Sequence, residues 1–279
     1  MPSHKQKIPK MLTLVALLLL TAIAMLAIKK CSHPSDRKAL FAEAGALPPK
    51  SGDDTLDIAI EISPLSYSLS GDSAHGLDYD ILTSMAAKNG LALKFHAFAP
   101  LDWAISGLEK GNFDILVSSL QSTSSLKERL PVTTSVYIDR QVLVQRKDTP
   151  HFISSPEQLG GDTVWIAKGS PAAQRIRNLS GEIGDSIFIS DDEALTSEHL
   201  VMLTASGTIP RCVVSQGIAE SMAEKDNNLD FSTPVSFNQF QVWAVSPAND
   251  RLRQRLDSMI EDFKLTETYK SLLDKYLKY

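Results

Sequence analysis

Asp78 and Asp80 stand two residues apart just ahead of an amphipathic segment, and paired carboxylates are the groups that general acid–base chemistry uses. The bland alternative is preferred here: acids placed before a helix cap it and favour its dipole. Gly169-Ser170-Pro171 is a second chemical signal. It sets Ser at N-cap and Pro at N1 of a helix, and free amides at such an end suit a carboxylate. The same serine serves equally well as a plain cap. His4, His33, His75, His96, His151 and His199 lack the H-E-x-x-H spacing or Cys-x-x-Cys partner of a metal site. His96 lies in an apolar strand and is expected to be a satisfied structural residue. The chain has no G-x-S-x-G elbow and no phosphate-cradling Gly-rich loop, so no metal or cofactor is expected.

The elements that position these residues alternate in period. Leu56–Ile62 reads as a strand, and Tyr79–Asn89 as a helix with Ile81, Leu82, Met85 and Ala86 on one face, closed by Gly90. Strand Leu91–Ala97, helix Asp102–Lys110 stopped by Gly111, buried strand Phe113–Ser118 and strand Val136–Gln145 follow. A second set holds strand Thr163–Ala167, the helix opening at Ser170-Pro171, strand Ser186–Ser190, helix Ser197–Ser206, strand Arg211–Ser215 and helix Gly217–Lys225. Phe240–Val245 is the last strand, before helices Asn249–Phe263 and Thr266–Leu277. Such alternation predicts an α/β class with mainly parallel sheets. Trp103 and Trp165 are expected as core aromatics.

Composition narrows the function classes. The 279 residues are 43% hydrophobic and 22% charged, as in an ordinary globular protein. Residues 55–279 hold 20 basic and 29 acidic side chains, a net of −9, which suits nucleic acid poorly. Met11–Ile28 is an uncharged apolar run of 18 residues, flanked by Lys5, Lys7 and Lys10 and by Lys29 and Lys30. At about 1.5 Å per residue it reaches roughly 27 Å, enough for a bilayer's apolar core. A retained signal anchor is the first reading; cleavage after Ala24 or Ala27, and lipid attachment at Cys31, remain open. Each reading puts the bulk of the chain outside the cytoplasmic membrane, in the periplasm, if the N-terminus stays inside. Residues 31–54 read as a linker, and Cys212 as a small buried hydrophobe.

Several of these segments carry a family pattern in order. GLDYDIL at Gly76–Leu82, Gly107-Leu108 with Gly111, Phe113 and Asp114, Tyr137…QVLVQRK, and FNQFQVWAVS before the final helices resemble the bacterial family-3 solute-binding proteins. A closer resemblance is to the solute-binding half of the membrane-bound lytic transglycosylases F. The catalytic domain those enzymes carry finds no room before Tyr279, so this resemblance implies a binding module. The implied fold is the two-lobed periplasmic-binding-protein type 2 fold, α/β with two hinge strands, preceded by a transmembrane or signal helix at 1–30. Lobe 1 would span 55–142 and 241–279, lobe 2 146–237, with the ligand between them.

The resemblance also implies a site. Glu61, after the first strand, would pair with a ligand ammonium, and Tyr67 would form a wall; a solvated strand-end charge and a core aromatic are the alternatives. Ser119, Gln121 and Thr123 would bond ligand from the polar turn. Ser170 would bond it at the helix opening, with Lys168 adding charge at the cleft or lying solvated on the surface. Two positions depart from the amino-acid binders. Leu126 stands where the carboxylate-clamping Arg belongs, three residues after Thr123, with Arg129 nearby, and Gln216 replaces the acid of the second lobe. The expectation is therefore a non-catalytic extracytoplasmic protein closing on a small polar solute that is not an ordinary amino acid. It would feed an ABC transporter permease or sense cell-wall fragments. The alternatives are a regulatory module related to transglycosylase F, or a dehydratase-like enzyme with Glu61 as its acid.

Overall fold

The computed structural model describes residues 47–277, except 53–54, 72, 99–100, 193–194 and 224–226. The apolar run 11–28 and Cys31 lie outside the described residues, among which no helix is long and apolar enough to cross a membrane. The first lobe begins with β1 (Thr55–Glu61), a hairpin of β2 (Ser68–Ser70) and β3 (Ser73–His75), and α1 (Leu77–Asn89). β4 (Ala92–Phe98), α2 (Leu101–Glu109), β5 (Ile115–Gln121), α3 (Ser124–Arg129) and β6 (Tyr137–Asp139) follow. The second lobe holds β7 (Gln141–Arg146), β8 (Thr163–Trp165), α4 (Ala172–Ile183), β9 (Phe188–Ser190) and α5 (Ser197–Ala205). It ends with β10 (Arg211–Ser215), α6 (Gln216–Ala223) and β11 (Leu229–Pro234). The chain then returns through β12 (Gln239–Val245) to α7 (Asp250–Lys264) and α8 (Glu267–Tyr276).

Two sheets result, ordered β4-β1-β5-β12-β6 and β11-β7-β10-β8-β9. The expectation of mainly parallel sheets needs correction. β4, β1 and β5 run parallel, as do β10, β8 and β9, but the strands that link the sheets, β12 and β7, pair antiparallel. The single strand expected over Val136–Gln145 is also two, because Arg140 carries the chain from one sheet to the other. The break falls in the polar triplet Asp139-Arg140-Gln141, which interrupts the apolar run of the expected single strand. The return crossing runs from Pro234 to Gln239. The β2–β3 hairpin, β11 and α3 were not expected; they are short and polar, and none has an apolar period to betray it.

The central strands β1, β5 and β12 bury side chains on both faces, while the edge strands β4 and β6 stay partly exposed. Ile58, Ile60, Val117, Trp243 and Val245 pack on one side with Ile81, Leu82 and Met85 of α1; Ala59, Leu116, Val242 and Ala244 face Ala104 and Leu108 of α2. Gly90 closes α1 with φ 63° and ψ 35°. In the motif ending at Asp114, that carboxylate accepts the Asp57 amide at 3.0 Å and Lys50 Nζ at 2.6 Å, fixing the bottom of β1 against β5. Asp57 is fully buried and accepts His96 Nε2 at 2.8 Å, so His96 is the satisfied structural residue expected. Burial opposes ionisation of Asp57, yet the bonds from His96 and Ser51 outweigh it and hold the carboxyl below the ordinary aspartate range.

Gly76 opens α1 at φ 146°, and a Cβ there would sit 2.3 Å from the Ser66 carbonyl oxygen. Both the dihedral and the collision are on backbone, so side-chain adjustment relieves neither. Gly76→Ala is expected to lose at least about 3 kcal/mol in urea unfolding; a loss under 1 kcal/mol would show that the 63–76 loop relaxes freely.

Candidate functional site

The parallel strands β1 and β5 end side by side, with Ile60 level with Val117, and ligand sites in α/β sheets lie beyond such carboxyl ends. Glu61 is the last residue of β1. Its Oε2 accepts Ser118 Oγ at 2.6 Å and the Ser119 amide at 3.2 Å, so the structure brings Glu61 and Ser119 together. No cation is paired with Glu61 among the described residues.

On the second lobe, Glu198 stands in the first turn of α5. Thr196 caps that helix, and its hydroxyl donates to Glu198 Oε2 at 2.9 Å. Burial raises the Glu198 pKa; Thr196 and His199 act against this, and the charge of Glu61 adds to it. A carboxylate on each lobe therefore acts on the other. Sequence reasoning missed Glu198, because an acid in the first turn of a capped helix is commonplace and only the fold brings it within the influence of the Glu61 charge.

Asp78 is the second unforeseen group. It does not cap α1: Gly76 occupies the N-cap with no side-chain cap, and Asp78 is fully buried. Its carboxylate accepts Trp243 Nε1 at 2.8 Å, Ser66 Oγ at 2.8 Å and Tyr137 Oη at 3.4 Å. Asp80 likewise is no cap, since it accepts Tyr276 Oη at 2.7 Å and Lys275 Nζ at 3.1 Å. Burial pushes the Asp78 carboxyl up to about 7, helped by Glu61 and resisted by Trp243, Ser66 and Tyr137.

The remaining expected site residues are more dispersed. The Tyr67 ring packs edge-on to Tyr79 with centroids 5.5 Å apart and stacks on Phe95 at 6.3 Å, the arrangement of a core aromatic. Gln121 ends β5, and its Nε2 is buried without a partner among the described residues. Thr123 is exposed and caps α3 by accepting the Leu126 amide at 3.2 Å. Leu126 packs against the apolar cluster under α2, while Arg129 donates to Glu109 Oε1 at 2.9 Å, so neither clamps a carboxylate in the cleft. Ser170 Oγ accepts the Ala172 amide at 3.2 Å; α4 starts there, with Pro171 rather than Ser170 at its N-cap. Lys168 is exposed. Gln216 is buried between two partners: Arg140 Nε donates to its amide oxygen, and its Nε2 donates to Glu220 Oε1 at 2.6 Å. A groove of about 490 Å³ on the first lobe, lined by Lys127, Thr134, Phe240 and Arg253, contains neither Glu61 nor Glu198.

The folded Asp78 carboxyl keeps its proton up to about pH 7, whereas an unfolded aspartate releases it near 3.8. Between those values the folded state binds more protons, so stability falls as pH rises. Asp78→Asn, neutral throughout, is expected to remove a slope on the order of 4 kcal/mol between pH 4 and 7. Urea unfolding across that range checks it, and an unchanged slope would contradict the assignment.

Comparison with known proteins agrees with this architecture. The membrane-bound lytic murein transglycosylase F of Shewanella pealeana is 26% identical over 214 residues, covering 76% of this chain and 44% of that protein. That of Nitrosospira multiformis is 24% identical over 237 residues, covering 84% and 48%. The chain thus spans about half the length of these relatives. Among solved structures, an ancestral arginine-binding protein bound to arginine superposes with a TM-score of 0.70 at 19% identity, covering 80% of this chain and 98% of that one. An ancestral amino acid-binding protein, a precursor of cyclohexadienyl dehydratase, gives 0.68 at 20% identity, covering 80% and 95%. These likenesses give the two-lobed amino-acid-binding-protein fold. The model of the bacterial extracellular solute-binding proteins, family 3, matches residues 56–279, and the chain belongs to that family.

Proposed function

We propose that this chain is an extracytoplasmic binding protein that closes its two lobes, 55–142 with 241–279 and 146–237, on a small amine-bearing solute lacking an α-carboxylate. The observation that carries the reading is the pair Glu61 and Glu198, one on each lobe, with no cation bonded to either among the described residues. Two carboxylates that feel each other's charge and have no bonded cation repel and are costly to enclose, and an ammonium between them would reverse both terms. The missing clamp supports the second half of the proposal: Arg129 is engaged by Glu109 and Leu126 is apolar. Ser119 and Ser170 supply polar contacts on either side, and Lys168 stays at the rim. Tyr67 contributes the edge of an aromatic wall, Thr123 shapes the turn, and Gln216 acts through Arg140.

Delivery to an ABC transporter permease, or a report on cell-wall fragments to the cell-wall machinery, would follow binding. An N-terminal anchor at 11–28 would hold the protein at the inner membrane. The matched relatives favour one further reading, a regulatory module of the transglycosylase F type that captures nothing itself.

Thermal-shift measurements at pH 7.5 with D-glucosamine, D-glucose, L-arginine and L-alanine separate these readings. D-glucosamine at about a hundred times its Kd is expected to raise the Tm by roughly 5 °C, and Glu61→Gln or Glu198→Gln to abolish the rise. An L-alanine shift that survives both substitutions would sink the proposal, and silence from every probe favours the regulatory module.

A further inference from the structure

Arg140 is the residue at which the chain passes from one sheet to the other, and both sheets end their parallel strands beside it. In the first sheet β6 pairs antiparallel with β12, and β12 antiparallel with β5. β6 therefore runs in the same direction as β1 and β5, and it ends at Asp139, one residue before Arg140. In the second sheet β10 runs parallel to β8, and its last residue, Ser215, is level with Gln141, one residue after Arg140. Arg140 thus lies just beyond the carboxyl edge of both sheets, the place where α/β folds put their ligands.

The residue is held there by three bonds. Its amide donates to Asp139 Oδ1 at 2.7 Å, its carbonyl accepts the Gln216 amide at 2.8 Å, and its Nε donates to the Gln216 side-chain oxygen. Gln216 is fixed in turn, because its Nε2 donates to Glu220 Oε1 at 2.6 Å. A carboxamide is what this position needs, since it accepts from Nε and donates to Glu220 at the same time. An acid in place of Gln216 would neutralise the guanidinium and stand against the Glu220 carboxylate. Gln216 aims Arg140 without discharging it.

The two terminal nitrogens of Arg140 have no hydrogen bond and no ion pair among the described residues. The side chain is partly exposed, and those nitrogens still touch solvent. Arg129, in the polar turn, is by contrast engaged by Glu109. With Nε occupied, the remaining edge of Arg140 presents two N–H groups side by side, a fork that takes two oxygens of a carboxylate or a phosphate.

We infer that Arg140 is an oxyanion-binding residue of the cleft, with Gln216 as its positioning residue, and that the solute carries a carboxylate or phosphate set apart from its amine. The amine half rests on the function proposed above. The separation follows from the sheet: β6 stands three strands from β1, roughly 14 Å at about 4.8 Å per strand. Side chains close part of that gap, but an α-amino acid holds both charges on one carbon and cannot reach Glu61 and Arg140 together.

Calorimetry on the full chain at pH 7.5 tests this with two pairs, D-glucosamine 6-phosphate against D-glucosamine, and 6-aminohexanoate against hexylamine. The members of each pair differ only in the oxyanion group. At least one anionic member is expected to bind about tenfold tighter than its partner, and which one does so tells phosphate from carboxylate. Arg140→Met, checked for a cooperative urea transition, is expected to bring that pair together. Arg140→Gln serves if the methionine variant does not fold, and the unmodified chain's ratio needs no variant. No preference in either pair, or one that the variant leaves unchanged, overturns the role of Arg140 while the amine-binding function stands. Anionic members that bind where their partner amines do not sink the amine-binding function and keep Arg140. If none of the four binds, both fall.

Discussion

The Asp78 carboxylate is the constraint on which the two-lobed arrangement turns. Its donors come from three separate stretches: Ser66 in the loop after β1, Tyr137 at the start of the outgoing strand, and Trp243 in the returning one. Asp78 itself lies in the first turn of α1. One buried group therefore ties the opening of α1 to both strands that lead across to the second lobe. Those strands are already paired antiparallel, with Gln241 level with Tyr137, so their own ladder sets their register. The three hydrogen bonds to one carboxyl add a directional tie between that pair and the opening of α1, which apolar packing alone would not give. The burial that makes the tie rigid also opposes its charge, and so links it to pH.

The two lobes also approach closely at Gly217. A Cβ there would lie 2.8 Å from a Leu277 methyl and 3.0 Å from a Leu65 methyl. Leu65 follows β1 and Leu277 follows α8, so two first-lobe segments rest on the opening of a second-lobe helix. Ile218 and Ala219, next along, belong to the same buried cluster as Leu65, Trp243 and Val214. The apolar core is therefore continuous across the crossings, and the polar cleft lies above it.

How much of this could be read beforehand depended on whether a residue's role was local. The α1 face of Ile81, Leu82, Met85 and Ala86, the stop at Gly90, and β10 at Arg211–Ser215 follow from periodicity and backbone preference, and they are where the sequence puts them. The break at Arg140 follows from which sheet its neighbours join, and Val142–Val144 would read the same in one long strand. Within the site, Glu61 and Ser119 were singled out by the family resemblance, and the adjacent parallel strand ends bring them into contact. The departures at Leu126 and Gln216 were legible as departures, but their partners Glu109, Arg140 and Glu220 were not. Asp78 and Glu198 sit at ordinary helix starts, where a capping acid is the sound default; only burial against distant segments gives them another role.

The same physics argues that this cleft is built to be filled. Burial pushes the Glu198 pKa up, and the charge of Glu61 adds to that push, so an uncompensated pair of carboxylates opposes close approach of the lobes. Apolar contact at Gly217 acts in the opposite direction and is independent of any solute. A two-state hinge with these opposing terms needs only a modest difference in affinity to move its population. A solute that neutralises the carboxylates, as proposed, supplies that difference at the groups that resist closure. One that merely filled the space would leave the repulsion in place, so in this cleft selectivity and closure share the same atoms.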